Sequence, residues 1–180
     1  MGTNSARLEG GVDWASASLS DLIRHILDTH HAYLRDALPK LTHQTQAAAT
    51  EQPEALPALS KVFQDLRNEL ESHMWKEEMV LFPLIRGLEA ARAAGQPAPT
   101  AHCGSVRNPI RVMEHEHDSA VRALAEMRRI TNGYALPEDA DDGHRTLFTG
   151  LTELEADLHQ HIHLENDILH PRAAELEAGH

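Results

Sequence analysis

The stretch LFTGLTELEADLHQHIHLENDILHPR, residues 147–172, decides the architecture. Apolar residues recur at Leu147, Leu151, Leu154, Leu158 and then Ile168, a pattern of one helix face. That face also passes through positions 161 and 165, where His and Glu replace the apolar residue. An imidazole and a carboxylate on a leucine stripe carry a desolvation cost that some partner must offset. At i, i+4 the two project from one face, one turn apart, where a single metal site can take both. One such pair is equally well explained by a buried His–Glu hydrogen bond. The rest of the chain has to decide.

The same substitution occurs a second time. A helix over about residues 58–94 has the stripe Val62, Leu66, Leu70, His73, Glu77, Leu81, Leu84 and Leu88, again with His and Glu at i, i+4. Pro109 suits the first turn of a further helix that Asn132-Gly133 should stop. Its stripe reads Ile110, Met113, His117, Val121, Leu124 and Met127, which places His117 inside and His115 on the solvent side. The first helix should start near Ser18 or Ser20 and carry Ile23, Leu27, Leu34, Leu38 and Leu41, with Pro39 as a local disturbance. Ile23 to His30 is a heptad and Leu27 to His31 is one turn, so spacing leaves both histidines open. Residues 44–57, 95–108 and 137–143 read as turns and linkers, and 1–17 as a flexible arm with Trp14 docking at its end. The expected fold is an all-α, antiparallel up-down-up-down four-helix bundle over residues 18–177.

Composition narrows the function. A net charge of −12 leaves no excess of Lys or Arg to neutralise phosphates, which argues against nucleic acid and fits a protein that attracts cations. The 14 histidines are scattered, so they are not a purification tag. A single cysteine, Cys103, excludes a disulfide framework or a Cys-based cluster within one chain, and its linker position predicts no catalytic part. No apolar run has the length of a membrane span and the N-terminus has no signal-peptide core, so a cytoplasmic protein is expected; a monomer is expected as well.

One histidine from the first helix, His73, Glu77, His117, His161 and Glu165 exceed what one tetrahedral zinc ion needs. They suit two first-row metals, each taking two histidines, with both glutamates bridging and an oxo or hydroxo group completing the pair. Nitrogen and oxygen donors without thiolate favour iron or manganese, and unfilled positions admit dioxygen, nitric oxide or peroxide. The ferritin-type site is disfavoured, because it uses Glu-x-x-His rather than His-x-x-x-Glu. Glu69 and Glu116 either orient ligating imidazoles or remain solvated helix charges. His25, His43, His102, His115, His144, His159, His163 and His180 are expected to face solvent, and His170 either to be simply exposed or to flank the site entrance.

The segments HHAYLRDALPKL (30–41), ELESHMWKEEMVLFPLI (69–85), PIRVMEHEHDSA (109–120) and DLHQHIHLENDILHPRA (157–173) resemble the hemerythrin-like, HHE cation-binding domain. The likeness is narrowest to the di-iron proteins for repair of iron centres. The resemblance implies ligands at His31, His73, Glu77, His117, His161 and Glu165, and so selects His31 over His30. It places the family's acidic neighbours at Glu69 and Glu116, and puts His170 where members tend to carry phenylalanine. It implies a non-haem di-iron protein that restores iron–sulfur clusters damaged by oxidative or nitrosative stress, through iron donation or nitric oxide reduction. Members of full length usually carry an N-terminal domain with adjacent cysteines. This sequence enters the bundle almost directly, which sets aside a role for such cysteines. Two alternatives stand beside repair: a carrier or sensor of dioxygen or nitric oxide, and a metal-free interaction module. Oxygen carriers typically add a fifth histidine, and the stripes offer no obvious one, which favours repair.

Overall fold

In the computed structural model, which describes residues 8–9, 11–51, 56–99, 104–136 and 140–179, the chain folds into four long helices. They are α1 (19–51), α2 (57–93), α3 (Arg107–Ile130) and α4 (142–178). Ser18 caps α1 by accepting the Asp21 N–H at 3.0 Å, and Asp141 caps α4 by accepting the His144 N–H at 2.8 Å. Pro57 opens α2, where a missing N–H is harmless. α3 stops where the sequence predicts. Asn132 and Gly133 take φ of 50° and 75°, and the Gly133 N–H returns to the Arg128 carbonyl at 2.7 Å.

Contacts between helices give the directions. Arg67 reaches Thr42 and Glu89 accepts from the Leu19 amide, so α1 and α2 are antiparallel. Ser119 with Glu69 and Glu116 with Lys76 set α3 against α2 in the same sense. Arg128 with Glu155 and His117 with Asn166 do so for α3 and α4. His30 with Asp157, and Arg172 with the Trp14 carbonyl, close the bundle between α1 and α4. The up-down-up-down reading holds.

Three details differ from the periodicity. α1 continues to Glu51 rather than fraying at Gln44, because Thr45 and Ala48 remain buried and the alanines there favour helix. On α3 the buried face passes through Ala120, while Val121 is 43 % exposed. Steps of four, three, four and three from Met113 keep that face in phase; the expected step from His117 to Val121 does not. Ahead of α1, β1 (Leu8–Glu9) pairs antiparallel with β2 (Val12–Asp13). Trp14 does dock: it is buried, and Arg172 donates to the carbonyls of Trp14 and Ala17 at 2.7 and 2.6 Å. Cys103, His102 and His180 lie outside the described residues.

The apolar core has two parts. One gathers Leu34, Leu66, Leu70, Ala120, Leu154 and Leu158; the other gathers Ile26, Leu81, Phe82, Met113, Leu164 and Leu169. On every helix the two sets are separated by a polar position: His30 and His31, His73 and Glu77, His117, and His161. A polar layer therefore crosses the bundle between two hydrophobic blocks, each of which excludes water from it. No helix among the described residues is long and apolar enough to cross a membrane.

Candidate metal centre

Three of the helices change their winding at this layer. π-helical turns occupy Leu27–His31, Glu77–Leu81 and Leu164–Leu169. In each, the following amide reaches five residues back: Ala32 to Leu27, Phe82 to Glu77 and His170 to Glu165. Pro83 and Pro171 come next in α2 and α4 and have no N–H with which to resume the α-helical ladder at once. π turns inside α-helices concentrate at functional sites.

The extra residue in each turn changes which side chains face inward. At about 100° per residue, an unbroken α-helix would set His170 about 120° from Leu158. One residue absorbed in the π turn brings it to about 20°. His170 is accordingly 1 % exposed, not a surface residue. The turn in α1 similarly buries both His30 and His31. His144 is also buried, at the start of α4, with Nδ1 3.0 Å from the Asp141 carboxylate and its ring edge-on to Phe148. Of the other histidines expected at the surface, His43, His115 and His159 are exposed.

The structure brings all six sequence-predicted donors together. They form two groups, His31 with His161 and His73 with His117, and Glu77 and Glu165 belong to both. Each glutamate divides its oxygens between the groups. Glu77 Oε2 lies 3.2 Å from His31 Nε2, and Oε1 lies 3.4 Å from His73 Nε2. Glu165 Oε1 lies 3.2 Å from His161 Nε2, and Oε2 lies 3.0 Å from His117 Nε2. The Nε2 atoms of His73 and His117 face each other at 3.1 Å. Both glutamates are fully buried.

These atoms are close without pairing well. His31 Nε2, both Glu77 oxygens and Glu165 Oε2 have no hydrogen-bond partner among the described residues. Orphaned buried acceptors cost about 1–3 kcal/mol each. Atoms that converge on a common point rather than on one another are the arrangement of donors around an ion. The donor set fits two metal ions bridged by two carboxylates.

The outward nitrogens are held by neighbouring helices. His31 Nδ1 is 2.7 Å from Glu78, which Arg35 also contacts. His73 Nδ1 is 3.0 Å from Glu116, which also pairs with Lys76. His117 Nδ1 is 2.9 Å from Asn166 Oδ1. A donor–acceptor bond at Nδ1 fixes the tautomer that presents Nε2 to a metal. Glu116 thus takes the orienting role, whereas Glu69 accepts from Ser119 instead. The sequence reading missed Glu78 and Asn166. Each follows a central glutamate directly, so an acid or amide at i+1 of the Glu was the available signal.

Electrostatics hold the carboxylates charged. Burial and the mutual repulsion of Glu77 and Glu165 raise the Glu77 pKa, but His73 and His31 outweigh them and leave it lowered. Burial likewise opposes ionisation of Glu165, yet His161 and His117 hold it well below the usual carboxylate range. Burial disfavours the His73 cation, but Glu77 and its companions push its pKa up to about 9. His31 and His117 are raised by the same competition, against Glu77 and Glu165 respectively. His170 goes the other way, lowered by burial.

The hemerythrin HHE cation binding domain matches residues 22–173. The chain belongs to this family. Family membership implies a metal-cation site, and the His/Glu layer is the part of the bundle with donors fit for one. Relatives include the iron-sulfur cluster repair protein YtfE of Pectobacterium atrosepticum, 38 % identical over 165 residues, covering 89 % of this chain and 68 % of the relative. The protein of the same name from Escherichia coli O157:H7 is 37 % identical over 164 residues, covering 89 % and 69 %. That from Cronobacter sakazakii is 38 % identical over 164 residues, covering 89 % and 68 %.

The two adjacent histidines of α1 separate by their partners. His31 Nε2 faces Glu77, while His30 Nδ1 is bound to Asp157 at 2.8 Å and its ring lies parallel to that of His161, with centroids 5.3 Å apart. His31→Ala is expected to weaken metal binding by at least about 100-fold, since outer partners alone are worth 10–100-fold. His30→Ala should leave stoichiometry and optical spectrum near wild type. Metal titration of both variants checks this, and the reverse outcome would place His30 at the ion.

Proposed function

We propose that this chain holds two iron ions, one between His31 and His161 and one between His73 and His117, with Glu77 and Glu165 bridging them. We further propose that it takes part in repairing iron–sulfur clusters damaged by oxidative or nitrosative stress, by giving up that iron. The observation that carries the reading is the division of each buried glutamate, one oxygen toward a histidine of each group. Donors of this type without thiolate suit iron or manganese, and carboxylates that shift between bridging and terminal modes let a metal leave. The words "iron-sulfur cluster repair" in the relatives' names support the cluster part. When bound, a ferrous pair offers open positions and electrons for nitric oxide reduction. On this reading residues 18–177 are the working unit, a cytoplasmic monomer whose partners are damaged iron–sulfur proteins and the gases NO and O2. A net charge of −12 sets nucleic acid aside.

A second reading, a dioxygen- or nitric-oxide-binding carrier or sensor, has its own support. A cavity of about 10 Å³ lies against His73, His117 and His161, walled by Leu70, Leu158 and Ile162. That is about the least space a single water needs, so a gas bound there would have to move these side chains. The expectation that no fifth histidine is buried is overturned, because His170 is buried with its ring parallel to that of His117, centroids 6.1 Å apart, although it stands outside both donor groups.

The test is anaerobic loading followed by mixing with a nitric-oxide-damaged cluster enzyme. Repair predicts near two iron per chain, iron–nitrosyl bands with nitric oxide, and recovered activity of the damaged enzyme with loss of iron from this protein. Reversible dioxygen binding with no iron transfer would select the carrier. A protein that takes up no iron would be an interaction module.

A further inference from the structure

His170 and His30 are both buried imidazoles lying parallel to a candidate ligand, and they differ in one respect. His30 Nδ1 is bound to Asp157 at 2.8 Å. His170 has neither ring nitrogen hydrogen-bonded among the described residues, although it is 1 % exposed. Two unpaired ring nitrogens in a core are costly, and an apolar aromatic ring would not carry that cost. His170 nevertheless stands outside both donor groups, so it is not placed to hold a resident ion. Its ring is parallel to that of His117, with centroids 6.1 Å apart. Its Nδ1 lies 4.0 Å from Glu114 Oε1, and the Glu114 side chain, one turn before His117 on α3, is 46 % exposed. His170 is thus a step between His117 and a carboxylate at the surface.

Iron leaving a layer buried between two apolar blocks gives up its ligands more readily where further protein donors stand along the way. Two donors on one first-row ion, each about 2.1 Å from it, lie between about 3 and 4.2 Å apart. The His170–Glu114 pair falls in that range. We propose that His170 and Glu114 form a transit site through which a ferrous ion passes between the His73/His117 position and the surface, in loading and in release. The proposal rests on the iron-donation reading above and adds the route to it.

The experiment uses the full chain loaded with ferrous iron, and follows transfer to a coloured ferrous chelator by stopped flow. His170→Phe and Glu114→Gln are each expected to slow release about tenfold or more, the scale of lost supporting ligands. Iron content and the resting Mössbauer spectrum should stay as in the wild type. Glu114→Asp should recover part of the rate. Glu114 is at the surface, so its variant tests the route even if His170→Phe does not fold. Release at the wild-type rate from both variants would overturn the transit site alone. So would a changed resting spectrum with lost iron in His170→Phe, which would make His170 a resident ligand. A wild-type protein that loads iron but never yields it would instead overturn the donation reading on which this rests.

Discussion

Glu77→Leu and Glu165→Leu should each purify with most of the metal gone while remaining helical. Each glutamate belongs to both donor groups, so removing one takes a donor from both at once. The loss should exceed the 10–100-fold typical of supporting residues, and metal analysis with an optical spectrum measures it. The bundle survives because the leucine enters a layer already bounded by Leu70 and Leu158 on one side and Leu81 and Leu164 on the other. The histidines lose their counter-charge but can become neutral, a lower cost than stranding a buried carboxylate. Full iron content and an unchanged spectrum in both variants would refute the six-donor site.

Metal loading should raise the melting temperature by about 8–16 °C. Free metal at 1,000 times its dissociation constant adds about 4.1 kcal/mol, and each kcal/mol moves a chain of this size by about 2–4 °C. The increment should shrink as pH falls. In the metal-free fold the His73 pKa is raised from 6.5 to about 9. Its contribution is complete below pH 6.5 and is lost as pH rises through about 9. Glu77 and Glu165 are lowered from 4.5, so theirs is present above that value and lost as pH falls through the lowered pKa. Near neutral pH the metal-free layer therefore keeps His73 protonated beside charged carboxylates, and the metal must displace that proton. Scanning calorimetry of loaded and stripped protein at pH 6 and pH 8 checks both the size and the slope. A melting temperature indifferent to metal would mean that this layer binds none.

The sequence alone determined the architecture and most of the residues that the structure brings together in the His/Glu layer. Leucine steps of three and four define each helix, and the eye can follow them until a His or Glu interrupts them. His73, Glu77, His117, His161 and Glu165 were legible because each interrupts an apolar stripe. His31 was not, since His30 satisfied the spacing equally; likeness to the family chose between them. Tertiary structure decided the rest, for two reasons. A stripe is read at a constant turn per residue, so three π turns in the ligand layer shift everything after them. His170 accordingly turned inward and His30 joined His31 in the core. The second reason is that a contact between helices depends on their relative rotation and height, which no local pattern encodes. Glu116 and Glu69 looked alike in the sequence, and only the packing of α2 on α3 gave His73 to the one and Ser119 to the other. The same packing brought Glu78 to His31 and Asn166 to His117, and left His170 without a partner among the described residues beside Glu114.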